Sequence, residues 1–274
     1  MKRILLLFFA LSALSIGQAQ RHFDIQIWND GEGVCQDSDA NVPQMLCYLA
    51  DNPNGQAIVV CPGGAYCNLS RVGEGTGFVK PLNMRGVSVF VLYYRLPKQR
   101  CTVPLADAQQ AISIVRRHAK EWGVNPNRIG IMGSSAGGHL ASTAATHFTN
   151  ADNRPDFQIL LYPVITMDPS YTHRFTHDNL LGKNPSKELE LLYSNEKQVT
   201  EQTPPAFIVL SCTDKVVNVR NALTYANALA EHHVQASLHM YPEGYHGFGS
   251  HVEFKDHDKW MNELFQWLDT EIGY

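Results

Sequence analysis

The run Gly133-Ser134-Ser135-Ala136-Gly137-Gly138-His139 has the form G-x-S-x-G. It follows a short β-rich stretch over 128–133 and opens a segment of small residues with helical character, the context that gives the pattern meaning. A sharp turn from strand to helix lifts a serine Oγ clear of the sheet, and small neighbours leave the backbone room to turn. The start of the helix then offers N–H groups and partial positive charge to a developing oxyanion. Ser135, the middle serine, is the candidate nucleophile, and Ser134 is its variable neighbour.

A serine hydroxyl is a poor nucleophile without a base, and the base needs a carboxylate to orient it. Folds with this elbow carry the three groups in the order serine, acid, histidine. Downstream, Asp214 ends the run Ser211-Cys212-Thr213-Asp214 after an apolar strand, and His246 lies in Gly244-Tyr245-His246-Gly247-Phe248-Gly249 after the next. Taken singly, a strand-end aspartate is an ordinary turn residue and a histidine among glycines an ordinary loop residue. Together and in order they specify acyl transfer, with Ser135, Asp214 and His246 as the catalytic set. A fourth part is Cys61-Pro62-Gly63-Gly64-Ala65-Tyr66, after an early strand. Oxyanion donors are expected from Ala136 and from Gly63 or Gly64, with Gly64 favoured. Such chemistry requires no metal and no organic cofactor.

These residues must be positioned by alternating strands and helices. Strands are expected at 58–61, 87–93, 128–133, 157–162, 206–211 and 236–241. Helices are expected at 104–122 (stopped by Gly123), 135–147, 219–231 and 256–272. That alternation implies an α/β fold with a mostly parallel, doubly wound sheet covered on both faces. Phe23–Trp28 and Met45–Ala50 read as antiparallel edge strands, and the polar, proline-marked stretch 163–203 as a lid over the strand ends. Residues 20–274 form one domain in this reading.

The chain has 274 residues, 44% of them hydrophobic, enough for a sizeable core. Its formal charge is −4, and −6 without the first 19 residues, which hold only Lys2 and Arg3. With no basic excess, nucleic acid and anionic membrane are poor partners. Composition also excludes collagen, coiled-coil and disulfide-knot classes. Residues 1–19 read as a secretory signal: two charges, an apolar run from Ile4 to Leu14, and small residues up to Ala19. The run is short for a membrane span and no other follows, so a secreted or periplasmic location is expected. Six cysteines follow, and Cys35–Cys47 and Cys67–Cys101 are the pairs to test first. The alternative is buried thiols acting as small hydrophobes.

Cys61–Tyr66, Tyr93-Tyr94-Arg95-Leu96-Pro97, Ala119–Gly123, Gly133–Leu140, Asp214–Val217 and Tyr245–Phe248 together resemble the α/β-hydrolase carbohydrate esterases. The similarity is greatest to the secreted bacterial acetylxylan and feruloyl esterase type and runs from about Ile58 to Trp267. It implies a serine esterase with Ser135, Asp214 and His246 as the catalytic residues and Gly63-Gly64 as the oxyanion loop. Its implied substrate is an acetylated polysaccharide or oligosaccharide; oligomeric state stays open. The oxyanion loop departs from the His-Gly-Gly-Gly of lipase-like relatives, and Val217-Asn218 stands where relatives often carry proline. A feruloyl esterase, a peptidase of the prolyl-oligopeptidase type and a catalytically dead carbohydrate-binding protein are the rival readings. The peptidase would lack the large N-terminal propeller of that type, and the intact serine, aspartate and histidine set argues against a dead site.

Other polar residues carry weaker expectations. His173 and His177 have helical spacing beside Asp178 but lack a third ligand, so a polar lid face is favoured over a metal site. His139 is expected to pack against the sheet, and Asp107 to be structural. Glu74 either lines the pocket or caps a helix. Tyr66 is the candidate substrate-binding residue, stacking on a sugar or covering the pocket mouth.

Overall fold

Continuous β-branched and aromatic runs form buried strands, and the amphipathic segments between them form the covering helices. A computed structural model describes residues 21–28 and 42–272. The expected leader at 1–19 and Cys35 lie outside the described residues. In chain order the main elements are β1 (His22–Gln26), β2 (Gln44–Tyr48), β3 (Ala57–Cys61), α1 (Val79–Asn83) and β4 (Ser88–Tyr93). Next come α2 (Thr102–Arg117), β5 (Ile129–Ser134), α3 (Ala136–Thr146), β6 (Phe157–Leu161), α4 (Arg174–Leu181) and α5 (Lys187–Leu192). The chain closes with β7 (Ala206–Ser211), α6 (Arg220–Glu231), β8 (Ala236–Tyr241) and α7 (His257–Thr270).

The strands form one eight-stranded sheet in the order β1-β2-β4-β3-β5-β6-β7-β8. β1 and β2 are the expected antiparallel edge, β2 pairing antiparallel with β4; β4 through β8 pair in parallel. The central strands β3, β5, β6 and β7 are buried at every position, whereas the edge strands β1 and β8 alternate exposed and half-buried residues. Successive side chains of a strand point to opposite faces. On β6, Phe157 meets Trp267 of α7, while its neighbour Gln158 accepts from the Tyr225 hydroxyl of α6 at 3.0 Å. Helices therefore cover both faces, as a parallel sheet requires.

Three details differ from expectation. α2 ends at Arg117 rather than Trp122. The next five residues turn back so that Trp122 stacks on Phe90 and His118, with Gly123 at φ +69° ending the segment. Cys67 and Cys101 do not pair: Cys47, Cys61, Cys67, Cys101 and Cys212 are all free thiols. Cys67 donates instead to the Gly64 carbonyl at 3.3 Å, and burial pushes the Cys47 thiol up to about 12. Finally, His177 is not on a polar face. It is fully buried, its ring nitrogens facing Asp178 at 2.8 Å and Glu190 at 3.1 Å, so it joins α4 to α5.

Parallel strands put all their C-terminal ends on one side of the sheet. The segments leaving β3, β5, β6, β7 and β8 carry, in turn, Gly63-Gly64, Ser135, Tyr162, Asp214 and His246. Segment 163–203 contributes α4, α5 and a single 3-10 turn, and Asn179 of α4 donates to the Ala65 carbonyl at 2.8 Å. That bond seats α4 beside the loop after β3.

Candidate active site

Ser135 stands between β5 and α3 at φ 54°, ψ −120°, a left-handed conformation that costs a non-glycine residue about 1–3 kcal/mol. Its backbone is held on both sides: its N–H donates to Leu161 at 2.9 Å and its carbonyl accepts from Val164 at 3.1 Å. The flanking glycines are steric necessities. A Cβ on Gly133 would lie 2.0 Å from the Gly137 carbonyl, and one on Gly137 would lie 2.1 Å from that of Cys61. Ala136 opens α3, so its N–H has no carbonyl four residues back within the helix.

His246 reaches Ser135 from the loop after β8. Its Nε2 is 2.8 Å from Ser135 Oγ, and its Nδ1 is 2.7 Å from Asp214 Oδ2. A carboxylate only accepts, so Nδ1 carries the proton and Nε2 is left to accept from the serine hydroxyl. Asp214 is fixed in turn: Oδ1 accepts the N–H groups of Val216 at 2.8 Å and Val217 at 3.0 Å. The two side chains are 14% and 3% exposed, which keeps the pair strongly coupled. A hydroxyl, imidazole and carboxylate in this order can pass the serine proton to Nε2 as Oγ attacks a carbon.

The loop after β3 supplies the other side. Gly64 lies at φ +129°. The Gly63 N–H, counted among the expected oxyanion donors, is instead given to Glu74 Oε2 at 3.0 Å. Gly64 and Ala136 are thereby left as the candidate donors. Glu74 binds the oxyanion loop rather than capping a helix. It is 6% exposed, and burial pushes its carboxyl up. Its Oε1 accepts from the Tyr162 hydroxyl at 2.8 Å. In the sequence Tyr162 reads only as the end of a strand; in the fold its ring packs edge-on to His246 at 4.9 Å.

Tyr66, the expected substrate-binding residue, is engaged with the fold. It is 3% exposed, and its hydroxyl lies 3.0 Å from His139 Nδ1. His139 Nε2 donates to the Tyr193 carbonyl at 2.9 Å, which leaves Nδ1 to accept from Tyr66. Burial drives the His139 pKa down to about 4, so the ring is neutral and joins the oxyanion loop, the elbow helix and the inserted segment. Asp107 likewise binds its own fold: it accepts from Arg95 at 2.6 Å and from Trp28 at 2.7 Å. Among the described residues, no group of three or more His, Cys, Asp or Glu side chains could hold a metal ion. No helix among them is long and apolar enough to cross a membrane.

Fold and site together define a class. The chain belongs to the α/β-hydrolase-fold family, whose pattern it matches over residues 59–250. It is 40% identical over 257 residues to the acetylxylan esterase of Xylanibacter ruminicola, spanning 92% of this chain and 51% of that protein. It is 35% identical to endo-1,4-beta-xylanase B of Butyrivibrio fibrisolvens, spanning 83% of this chain and 38% of that protein. The chain thus spans about half or less of the length of these two curated relatives. The crystal structure of an acetyl ester-xyloside bifunctional hydrolase from Caldicellulosiruptor lactoaceticus superposes with a TM-score of 0.87 at 34% identity. That match covers 94% of this chain and 98% of the other.

Proposed function

We propose that this chain is a serine carboxylesterase that removes acetyl groups from xylan or its oligosaccharides. The observation that carries the reading is the continuous relay from Ser135 Oγ through His246 to Asp214, at 2.8 and 2.7 Å. Ser135 Oγ attacks the ester carbonyl carbon while Nε2 takes its proton; general-base help of this kind contributes about 10²–10⁴-fold. The oxyanion is held by the Ala136 and Gly64 amides, each such donor worth roughly 10²–10³ in kcat. Nε2 then protonates the sugar oxygen, which leaves as the alcohol. Water, deprotonated by the same nitrogen, attacks the acyl-serine and releases acetate, returning the proton to Oγ.

The relatives supply the substrate class. Two of the three proteins described above are named for acetyl-ester hydrolysis, and the third is named a xylanase. An exported enzyme suits a polymeric substrate, and residues 1–19 act in this reading as the cleaved leader. Segment 163–203 acts as the lid, its helix α4 anchored to the oxyanion loop by Asn179.

The test is acetate release from acetylated xylan, with Ser135→Ala beside the wild type. Release by the wild type alone supports the reaction, the substrate and the nucleophile. No release from xylan while p-nitrophenyl acetate is still cleaved would keep the reaction class and remove the substrate.

A further inference from the structure

Glu74 sits in the turns between β3 and α1 with both oxygens engaged on different loops. Oε2 holds the Gly63 N–H at 3.0 Å and Oε1 the Tyr162 hydroxyl at 2.8 Å. The Tyr162 oxygen also accepts the Gly249 N–H at 2.9 Å, three residues beyond His246. One carboxylate therefore links the loop after β3, the first residue after β6 and the loop that carries the histidine. A buried carboxyl is an expensive fastener, since its desolvation is costly and another polar side chain could close the same turns. That cost calls for a role in the site.

We infer that Glu74 is a positioning residue for ester hydrolysis: it fixes the oxyanion loop against Ser135 and, through Tyr162, braces the loop that carries His246. The inference rests on the esterase reading above. The first half follows from peptide geometry. Glu74 holds the N–H of Gly63, while the Gly63 carbonyl accepts from Ser70 at 2.9 Å. In a trans peptide the C=O and N–H point in opposite directions, so the Gly64 N–H is turned away from Ser70 and held there. A preorganised donor loses no reorganisation energy when the oxyanion forms.

The second half follows from Tyr162, whose hydroxyl donates to Glu74 and accepts from Gly249 while its ring packs edge-on to His246. Burial raises the Glu74 carboxyl, and the Tyr162 hydrogen bond, the charge of His246, the Gly63 hydrogen bond and the charge of His251 lower it. The other groups facing His246 are Asp214 at Nδ1, the Tyr162 ring, and His173, whose own pKa is lowered first by burial and then by His246.

Glu74→Gln keeps the shape, removes the charge and offers one acceptor oxygen to two donors. On an acetyl ester we expect kcat to fall about 10- to 100-fold with KM within about threefold. Tyr162→Phe keeps Glu74 on Gly63 but cuts the link to the histidine loop; it should lower kcat with KM again within about threefold. Phosphonate titration of competent sites normalises both variants. Wild-type kcat in Glu74→Gln would overturn the inference, as would a loss fully accounted for by fewer competent sites. Should Glu74→Gln fail to fold, Tyr162→Phe decides alone, and an unchanged kcat there overturns the link. Activity that survives Ser135→Ala would overturn the esterase reading and this inference with it. Activity that needs Ser135 but ignores Glu74 would overturn this inference only.

Discussion

Ser135 holds its Oγ at the elbow with a strained backbone, and the side chains of His246 and Asp214 make that strain useful. If the relay works as described, Asp214→Asn should lower kcat by roughly 10⁴-fold, since an amide no longer selects the Nδ1–H tautomer; pre-steady-state hydrolysis of p-nitrophenyl acetate measures this. Gly63→Ala should abolish activity in whatever protein remains folded. The new Cβ would lie 2.5 Å from Glu74 Oε2 and 2.6 Å from the Ser134 carbonyl, and backbone cannot give way as a side-chain tip can. Tyr66→Phe separates a structural tyrosine from a sugar-binding one. It removes a buried hydrogen bond to His139, so about 1–3 kcal/mol of stability should go while KM for a xylan oligosaccharide stays unchanged. Denaturant unfolding and steady-state kinetics on one preparation check both. Ser135, Asp214 and His246 were legible in the sequence because each follows a recognisable strand and the chain order is characteristic. Glu74 and Tyr162 were not. Their roles arise from contacts 88 residues apart in the chain, and an acid among glycines has no periodicity to read.

At the scale of elements, the strands were the most readable feature, because buried parallel strands are unbroken apolar runs. Helix ends were less so: α2 stops early because Trp122 gains more from Phe90 and His118 than from another helical turn. The expected polar face of the inserted segment failed at His177, whose partner Glu190 lies on the following helix. Sequence spacing within α4 carries no trace of that pairing. The elbow helix makes a pH-dependent prediction through His139. The unfolded chain takes up this proton near the ordinary value of 6.5, the folded one only at about 4. Its contribution to stability is therefore complete above pH 6.5 and lost as pH falls toward 4. Melting temperature should decline across that window, and His139→Gln should flatten the decline.

For the whole molecule, the sheet gathers five strand ends on one side, and the residues proposed to act come from those ends. The family was legible because its motifs are short and local, each set by a turn that a particular strand must make. The acyl group and the glycan are not written that way, since they depend on how segment 163–203 meets the strand ends. The central claim is that Ser135 is an activated nucleophile driven by His246. The most direct measurement is labelling of the folded chain with a fluorophosphonate, followed by peptide mapping, with His246→Ala in parallel. The account predicts one adduct, on Ser135, formed rapidly in the wild type and slowed at least about 10²-fold without the imidazole. An adduct on another residue, or labelling of Ser135 at the same rate in His246→Ala, would contradict it.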